Sequence, residues 1–445
     1  MRTILLSATI FTACACTPPP ETQAGDDAPA GSQTAPATTD SGANGGSQDY
    51  GADGTGETGA AASDGEATRS VDFGERNVPE FEPAFENQTR APLPDETHDW
   101  TVETVGEGLD EVWGFTFLPD GDILLNKKSG TMHVLSDGVA SDALDGLPEI
   151  DTEDQGGLLD VTLDPDFADN RLVYFSYAEP RGDGENGTAV ARARLSEDRG
   201  ALEDLEVIFR QEPSWESGKH FGSRLVFAQD GTLFVTLGER SLPEPRQLAQ
   251  DPTNHIGAVV RINRDGSIPD DNPFVGSDEG ADALYAYGTR NIQAAALGPQ
   301  GRLWETEHGP AGGDELNLIE AGGNYGWPVV GYGEQYDGTP QHEDTQAEGM
   351  IQPVYYWDPV IGPSGMIFYS GDRFENWRGD IFVGGLVTED VVRLTLEDDR
   401  VTGEERLEMD GRIRDVVQGP DGAIYVSDES NGTILRIAPY DNGAG

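Results

Sequence analysis

"FAQDGTLFVTLGE", Phe227–Glu239, sets a tight Asp-Gly turn in front of a short, largely apolar run. A turn of that kind feeding a strand of period two is a hairpin signal. The same phrase recurs. It is present as "FLPDGDILLNKKSGTMHVL" from Phe117, "LDPDFADNRLVYFSYA" from Leu163 and "LGPQGRLWETEHG" from Leu297. It returns as "FYSGDRFENWRGDIFVGGL" from Phe368 and "QGPDGAIYVSDESNGTILRI" from Gln418. Six copies at irregular spacing, with no long amphipathic helix between them, predict an all-β fold: a six-bladed β-propeller. A solenoid would repeat at a shorter, stricter period, and a sandwich would not keep restating one turn and strand.

Loops at one end of a propeller's channel converge from every blade, so the segments that precede or follow these strands are candidate site loops. Three have unusual chemistry: "DTEDQGGLLDV" from Asp151, "WESGKHFGSRLVF" from Trp215 and "EHGPAGGDELNLIEAGGNYGWP", Glu307–Pro328. The last crowds glycines, prolines and carboxylates into one stretch, more than a simple connection needs.

Composition narrows the partners. Asp+Glu number 82 against 28 Lys+Arg, a net charge of −54, and the lysines are Lys127, Lys128 and Lys219. Such a surface repels nucleic acid and anionic membranes. It suits a high-salt setting, where cations screen the self-repulsion, and equally an acidic secreted protein. Cys14 and Cys16 are the two cysteines, so disulfides, thiolate metal sites and a cysteine nucleophile are excluded from the folded region.

Residues 1–16, "MRTILLSATIFTACAC", carry one arginine and a short apolar run, too short for a permanent span, and are expected to be an export signal. "FTAC" resembles a lipobox, with Cys14 the acylated residue and Cys16 the fallback; signal cleavage that discards both is the alternative. Residues 17–95 are expected to form a disordered acidic tether, poor in large apolar side chains, and 96–440 the propeller, with order beginning near Trp100.

Candidate chemistry follows. His220 lies between Gly218 and Gly222 before a strand; a general base and a hydrogen-bonded loop histidine both fit. Arg290, Asn291 and Gln293 supply donors for an oxygen-rich anion. Arg412 and Arg414 share a face if extended and suggest a carboxylate ligand, unless each pairs with a nearby acid. In the 307–328 stretch, Gly309 and Pro310 offer carbonyls and Asp314 and Glu315 carboxylates, hard oxygens of the kind Ca²⁺ takes.

Taken in order, "QGGLLDVTLDPDFADN", "HFGSRLVF", "GAVVRINRDGSIPDDNPF", "YGTRNIQ", "EHGPAGGDELNLIEAGGNYGWP", "SGMIFY" and "RIRDVVQGPDG" make the chain, from about Trp100 to Ile437, resemble the glucose/sorbosone dehydrogenase family. These are soluble aldose sugar dehydrogenases that use pyrroloquinoline quinone (PQQ). The resemblance implies a six-bladed propeller, PQQ across the channel mouth, and Ca²⁺ between it and the protein. It implies that His220 takes the anomeric proton, that Arg290 polarises the quinone oxygen with Asn291 and Gln293 in support, and that Gln155 lines the pocket. Tyr336, Arg412 and Arg414 would contact the cofactor. Gly309 and Pro310 would give carbonyls to the Ca²⁺ beside PQQ, and Glu315 and Tyr325 would hold a second, structural Ca²⁺. The substrate would be an aldose, with an unidentified electron acceptor. The sequence departs from the family at Val387, where a lysine is usual, and at His308, where some relatives carry glutamine. Two rivals are a propeller lactonase, which needs carboxylate-held Ca²⁺ and no arginine pair, and a cofactor-free extracellular binding module.

Overall fold

The structure, a computed structural model, describes residues 71–440. The expected export signal, both cysteines and most of the tether lie outside them. The described chain forms six antiparallel sheets of four strands each, the six-bladed propeller that the repeats predict. The inner strands, one per blade in chain order, are Val112–Phe117, Leu158–Leu163, Gly222–Phe227, Ile292–Leu297, Pro363–Phe368 and Ile413–Gln418.

Each repeated turn joins an inner strand to the second strand of its blade. Four blades use one hydrogen-bond pattern: Leu118 N donates to Asp122 O, Ala228 N to Thr232 O, Gly298 N to Arg302 O, and Gly419 N to Ala423 O, all at 2.8–2.9 Å. Every one of these turns places a glycine (Gly121, Gly231, Gly301, Gly422) at φ between 74° and 96°, where an L side chain is strained. Blade 2 replaces the tight turn with the helix Phe167–Asn170, and blade 5 with the 3₁₀ turn Glu375–Trp377. Those insertions explain part of the uneven spacing of the copies.

The ring closes on a strand from before the first blade. Trp100–Gly106 is the outer strand of blade 6 and pairs with Thr433–Pro439, Trp100 opposite Pro439. All six inner strands change register near their first residues. A bulge there turns the extra residue toward the channel; Trp113, Leu159, Gln293 and Arg414 sit at these positions.

Beneath the bulges Arg224 crosses the axis. Its Nη1 lies 2.9 Å from Asp160 Oδ1 and 3.1 Å from Asp415 Oδ1. Asp160 accepts from Leu225 N at 2.7 Å and Asp415 from Phe115 N at 3.1 Å, while Arg224 Nε donates to Gln293 O at 3.4 Å. Gly365 faces the same carboxylate so closely that a Cβ would stand 2.2 Å from Asp415 Oδ1. One guanidinium thus ties blades 2, 3, 4 and 6 through its own contacts, and blade 1 through Asp415.

The tether boundary needs correction. Residues 71–95 are ordered: Val78, Gln88 and Ala91 are buried. Gln88 O accepts from Tyr356 N at 2.8 Å and Pro92 O from Glu404 N at 2.9 Å. The segment therefore covers the outer strands of blades 4 and 5, Tyr355–Trp357 and Arg400–Glu408. Composition missed this because main-chain hydrogen bonding to an existing sheet edge needs few apolar side chains.

Candidate active site at the channel mouth

His220 stands at the entrance to blade 3 in a left-handed conformation, φ 50°. Its main-chain N donates to Gln155 Oε1 at 2.9 Å, which brings the blade 2 loop to it. Its Nδ1 lies 2.8 Å from Glu239 Oε1. Burial lowers the imidazole to about 4, Arg290 adds to that, and Glu239 opposes it. The Glu239 carboxyl is pushed up by burial, yet the contact with His220 and the field of Arg290 leave it below its ordinary value. An ionised Glu239 can only accept, so Nδ1 carries the proton and the Nε2 lone pair is the basic site. Sequence reading missed Glu239, although a signal was there. Gly222 pairs with Leu237, and continuing that register by two residues sets His220 opposite Glu239.

Arg290 and Asn291 enter from the neighbouring blade. Arg290 N and Asn291 N both donate to Glu307 Oε2, the latter at 3.2 Å. The Arg290 guanidinium gives Nη1 to His308 O and Gly309 O, each at 2.8 Å, and lies 5.2 Å from the Trp327 ring centre. Its Nη2 is 3.4 Å from the Tyr336 hydroxyl, on a side chain 66% exposed at the rim. Asn291 Oδ1 accepts from Gly222 N and Gln293 Nε2, both at 3.2 Å. The structure thus joins His220, Gln155, Arg290, Asn291, Gln293, Gly309 and Tyr336 in one set of contacts.

Behind this wall is a concentration of acid. Glu305, Glu307, Asp314 and Glu315 are all buried. Glu305 Oε2 has no hydrogen-bond partner. Burial pushes Glu307 up to about 7 against the two N–H donors, and Glu305 and Glu315 well up, each further raised by Glu307. A cavity of ≈ 20 Å³ opens among Arg290, Glu307, Gly309, Pro310, Glu315 and Tyr325, among others. That is room for about one water-sized species, and oxygen donors around it suit a hard cation. Among the described residues no three His, Cys, Asp or Glu side chains converge on a ready-made metal cage, so carbonyls would have to complete the ligand set.

Two expectations change in detail. Asp314 is not a free carboxylate: it accepts from Gly309 N at 2.8 Å, Ile361 N at 2.9 Å and Gly362 N at 2.8 Å. It clamps the loop rather than facing the cavity. The Tyr325 hydroxyl is also spent, donating to Leu318 O at 2.7 Å and accepting from Glu320 N at 2.8 Å. Only its ring and main chain remain for the cavity.

Arg412 and Arg414 do share a side, and both turn to Glu429. Arg414 Nε and Nη2 lie 3.0 and 2.8 Å from its carboxylate, and Arg412 Nε lies at 3.9 Å. The acid pairing left open for each is therefore present, with Arg414 Nη1 left over. His308 is partly buried, its Nε2 2.7 Å from Pro363 O; desolvation lowers it to about 3, with Arg290, Arg414 and His220 all contributing. One imidazole feels cations from blades 4 and 6, which places them around a common mouth. Val387 sits on that rim, 37% exposed, its N bonded to Ile361 O at 2.9 Å.

Comparison with known proteins gives the chain its relatives. The family model for Glucose / Sorbosone dehydrogenase matches residues 109–436. The chain is 42% identical to aldose sugar dehydrogenase YliI of Escherichia coli (strain K12) over 346 residues, spanning 76% of this chain and 92% of that protein. It is 27% identical to quinoprotein glucose dehydrogenase B of Acinetobacter calcoaceticus over 407 residues, 73% of this chain and 84% of the other. The solved PQQ-bound form of aldose sugar dehydrogenase from Streptomyces coelicolor is 26% identical, with TM-score 0.64 over 77% of this chain and 99% of its own.

Proposed function

The chain belongs to the glucose/sorbosone dehydrogenase family, and from that membership we propose that it oxidises aldose sugars at the anomeric carbon to lactones, using PQQ and Ca²⁺. The observation that carries the reading is the His220–Glu239 pair. With Nδ1 held at 2.8 Å by the carboxylate, Nε2 is the atom that takes the proton of the anomeric hydroxyl. Burial keeps that nitrogen unprotonated at neutral pH. Oxidation removes a hydride from C1 along with this proton, so a two-electron acceptor is required. PQQ, when bound, would be that acceptor. Arg290, Asn291, Gln293, Tyr336, Arg412 and Arg414 would hold it, with Gln155 beside the base.

The partnerless Glu305 oxygen and the crowded buried carboxylates support a cation in the loop. Gly309 and Pro310 would give it carbonyls, and Glu315 with Tyr325 would hold a second ion. Gly309 O already accepts from Arg290, which leaves one lone pair for a metal. Ca²⁺ would act there as a Lewis acid that favours charge on the ligand. The test is reconstitution. Purified protein given PQQ and Ca²⁺ is expected to gain quinone absorption and to reduce a dye on addition of aldose. A protein that binds no quinone would return the site to the lactonase or binding-module alternatives.

The proposed setting is outside the cytoplasm, anchored through Cys14 (or Cys16), with an electron acceptor still to be identified. Cys14→Ala together with Cys16→Ala is expected to release the protein from membrane fractions. Retention of the double variant would end the lipid-anchor proposal.

A further inference from the structure

In a chain with 82 acidic side chains against 28 lysines and arginines, a cation without a carboxylate partner keeps its charge available to a ligand. Lys219 has Asp154 at 3.9 Å. Among the described residues, no carboxylate comes within ion-pair distance of the Lys128 ammonium. Lys128 lies instead 6.0 Å over the ring of Trp113, whose centre is also 4.8 Å from the Arg414 guanidinium. Trp113 is the bulged residue of blade 1's inner strand, and it packs with Leu159 and with Phe221, the neighbour of His220. Across the ring, Trp327 carries a second such pair, Arg246 at 5.6 Å and Arg290 at 5.2 Å. Blades 1 and 6 therefore present two cations on one tryptophan, and the opposite blades 3 and 4 present two on another. The first group also acts together electrostatically. Glu429, pushed up by burial, is held below its ordinary value by Arg414, Arg412 and Lys128.

We propose that Lys128, seated over Trp113 beside Arg414, is a further anion-binding residue of the mouth and supplies from blade 1 the positive charge that Val387 does not supply from blade 5. The ligand class is a planar polycarboxylate; its identification with PQQ rests on the function proposed above. An aromatic face fixes the ammonium without neutralising it, as a carboxylate would, so the charge stays available to a ligand. Four cations on opposite walls suit an anion with carboxylates at both ends.

Calorimetric titration of the full-length, Ca²⁺-supplemented protein with PQQ, and separately with benzene-1,3,5-tricarboxylate, tests this. Lys128→Ala is expected to weaken both ligands by about tenfold at low salt, with the gap closing as salt rises. Adding Val387→Lys to Lys128→Ala is expected to recover most of the loss. Unchanged melting temperatures would show that the fold is intact. Equal affinity of wild type and Lys128→Ala for both ligands would overturn the proposal, and so would a loss that salt does not alter. A wild type that binds the tricarboxylate but not PQQ would overturn the cofactor reading while upholding Lys128 as an anion site.

Discussion

A buried histidine beside two arginines stays unprotonated at neutral pH: burial and both cations outweigh the pull of Glu239. His220 is lowered to about 4, by burial first and Arg290 second. The sign of the effect is testable. An exposed histidine would titrate near 6.5, but here kcat/KM for aldose is expected to hold through pH 5 and fall only near pH 4. Folding stability should decline as pH falls from about 6.5 to about 4, because in that range the unfolded chain binds a proton that the folded one resists. His220→Ala is expected to reduce turnover by at least about 100-fold while quinone binding persists. Unchanged turnover in the variant would remove His220 from the chemistry. At this scale the sequence named His220 and Arg290 but not Glu239 or Glu307. The first two reveal themselves by residue type and by flanking glycines. The other two act through strand register and main-chain N–H groups, which become visible only once two strands are paired.

The stretch 307–328 shows the same division at the level of an element. Its glycines, prolines and acids marked it as a site loop, and the structure does place Gly309, Pro310, Glu315 and Tyr325 around one cavity. What sequence could not give was the different work of adjacent carboxylates. Asp314 faces three main-chain donors, whereas Glu315 lines the cavity. A side-chain Cβ at Gly309 would lie 2.3 Å from Gly312 O, so the loop is tight enough that its hydrogen bonds set its shape. Asparagine has one acceptor oxygen where aspartate has two, and its amide would oppose an N–H with another donor. Asp314→Asn is therefore expected to lower the unfolding free energy by about 1–3 kcal/mol, the cost of a buried donor left unsatisfied. Denaturant titration measures it; equal midpoints would mean that the clamp is not needed. The inner-strand bulges were likewise illegible beforehand. A bulge is one unpaired residue, and nothing in the alternation of "VWGFTF" or "IRDVVQ" announces it.

For the whole molecule, the repeated turns were enough to predict six blades, because each turn carries its own glycine and each blade its own copy. The ends of the ring were less legible. Closure by Trp100–Gly106 and the cover supplied by 71–95 depend on which edges remain unpaired after the blades form, a property of the assembled ring rather than of local sequence. A disordered tether over residues 17–95 would make removal of residues 1–95 harmless, and the order seen from residue 71 onward reverses that expectation. Asn77 N and Val78 N donate to the buried Asp358 carboxylate at 2.8 and 3.0 Å. The same carboxylate lies so close to Gly312 that a Cβ there would stand 2.7 Å from it. Deleting the segment would strip two donors from Asp358, uncover two strand edges and loosen the support directly beneath the 309–315 loop. Deletion of residues 1–70 is expected to leave the melting temperature and PQQ affinity unchanged. Deletion of 1–95 is expected to lower both, with the Asp358 contacts alone accounting for about 1–3 kcal/mol. Thermal melts and quinone titrations of the two truncations side by side distinguish a cover that shapes the site from one that merely lies on it. If the shorter protein melts lower but binds PQQ as well as the longer, the segment stabilises the blades without reaching the loop.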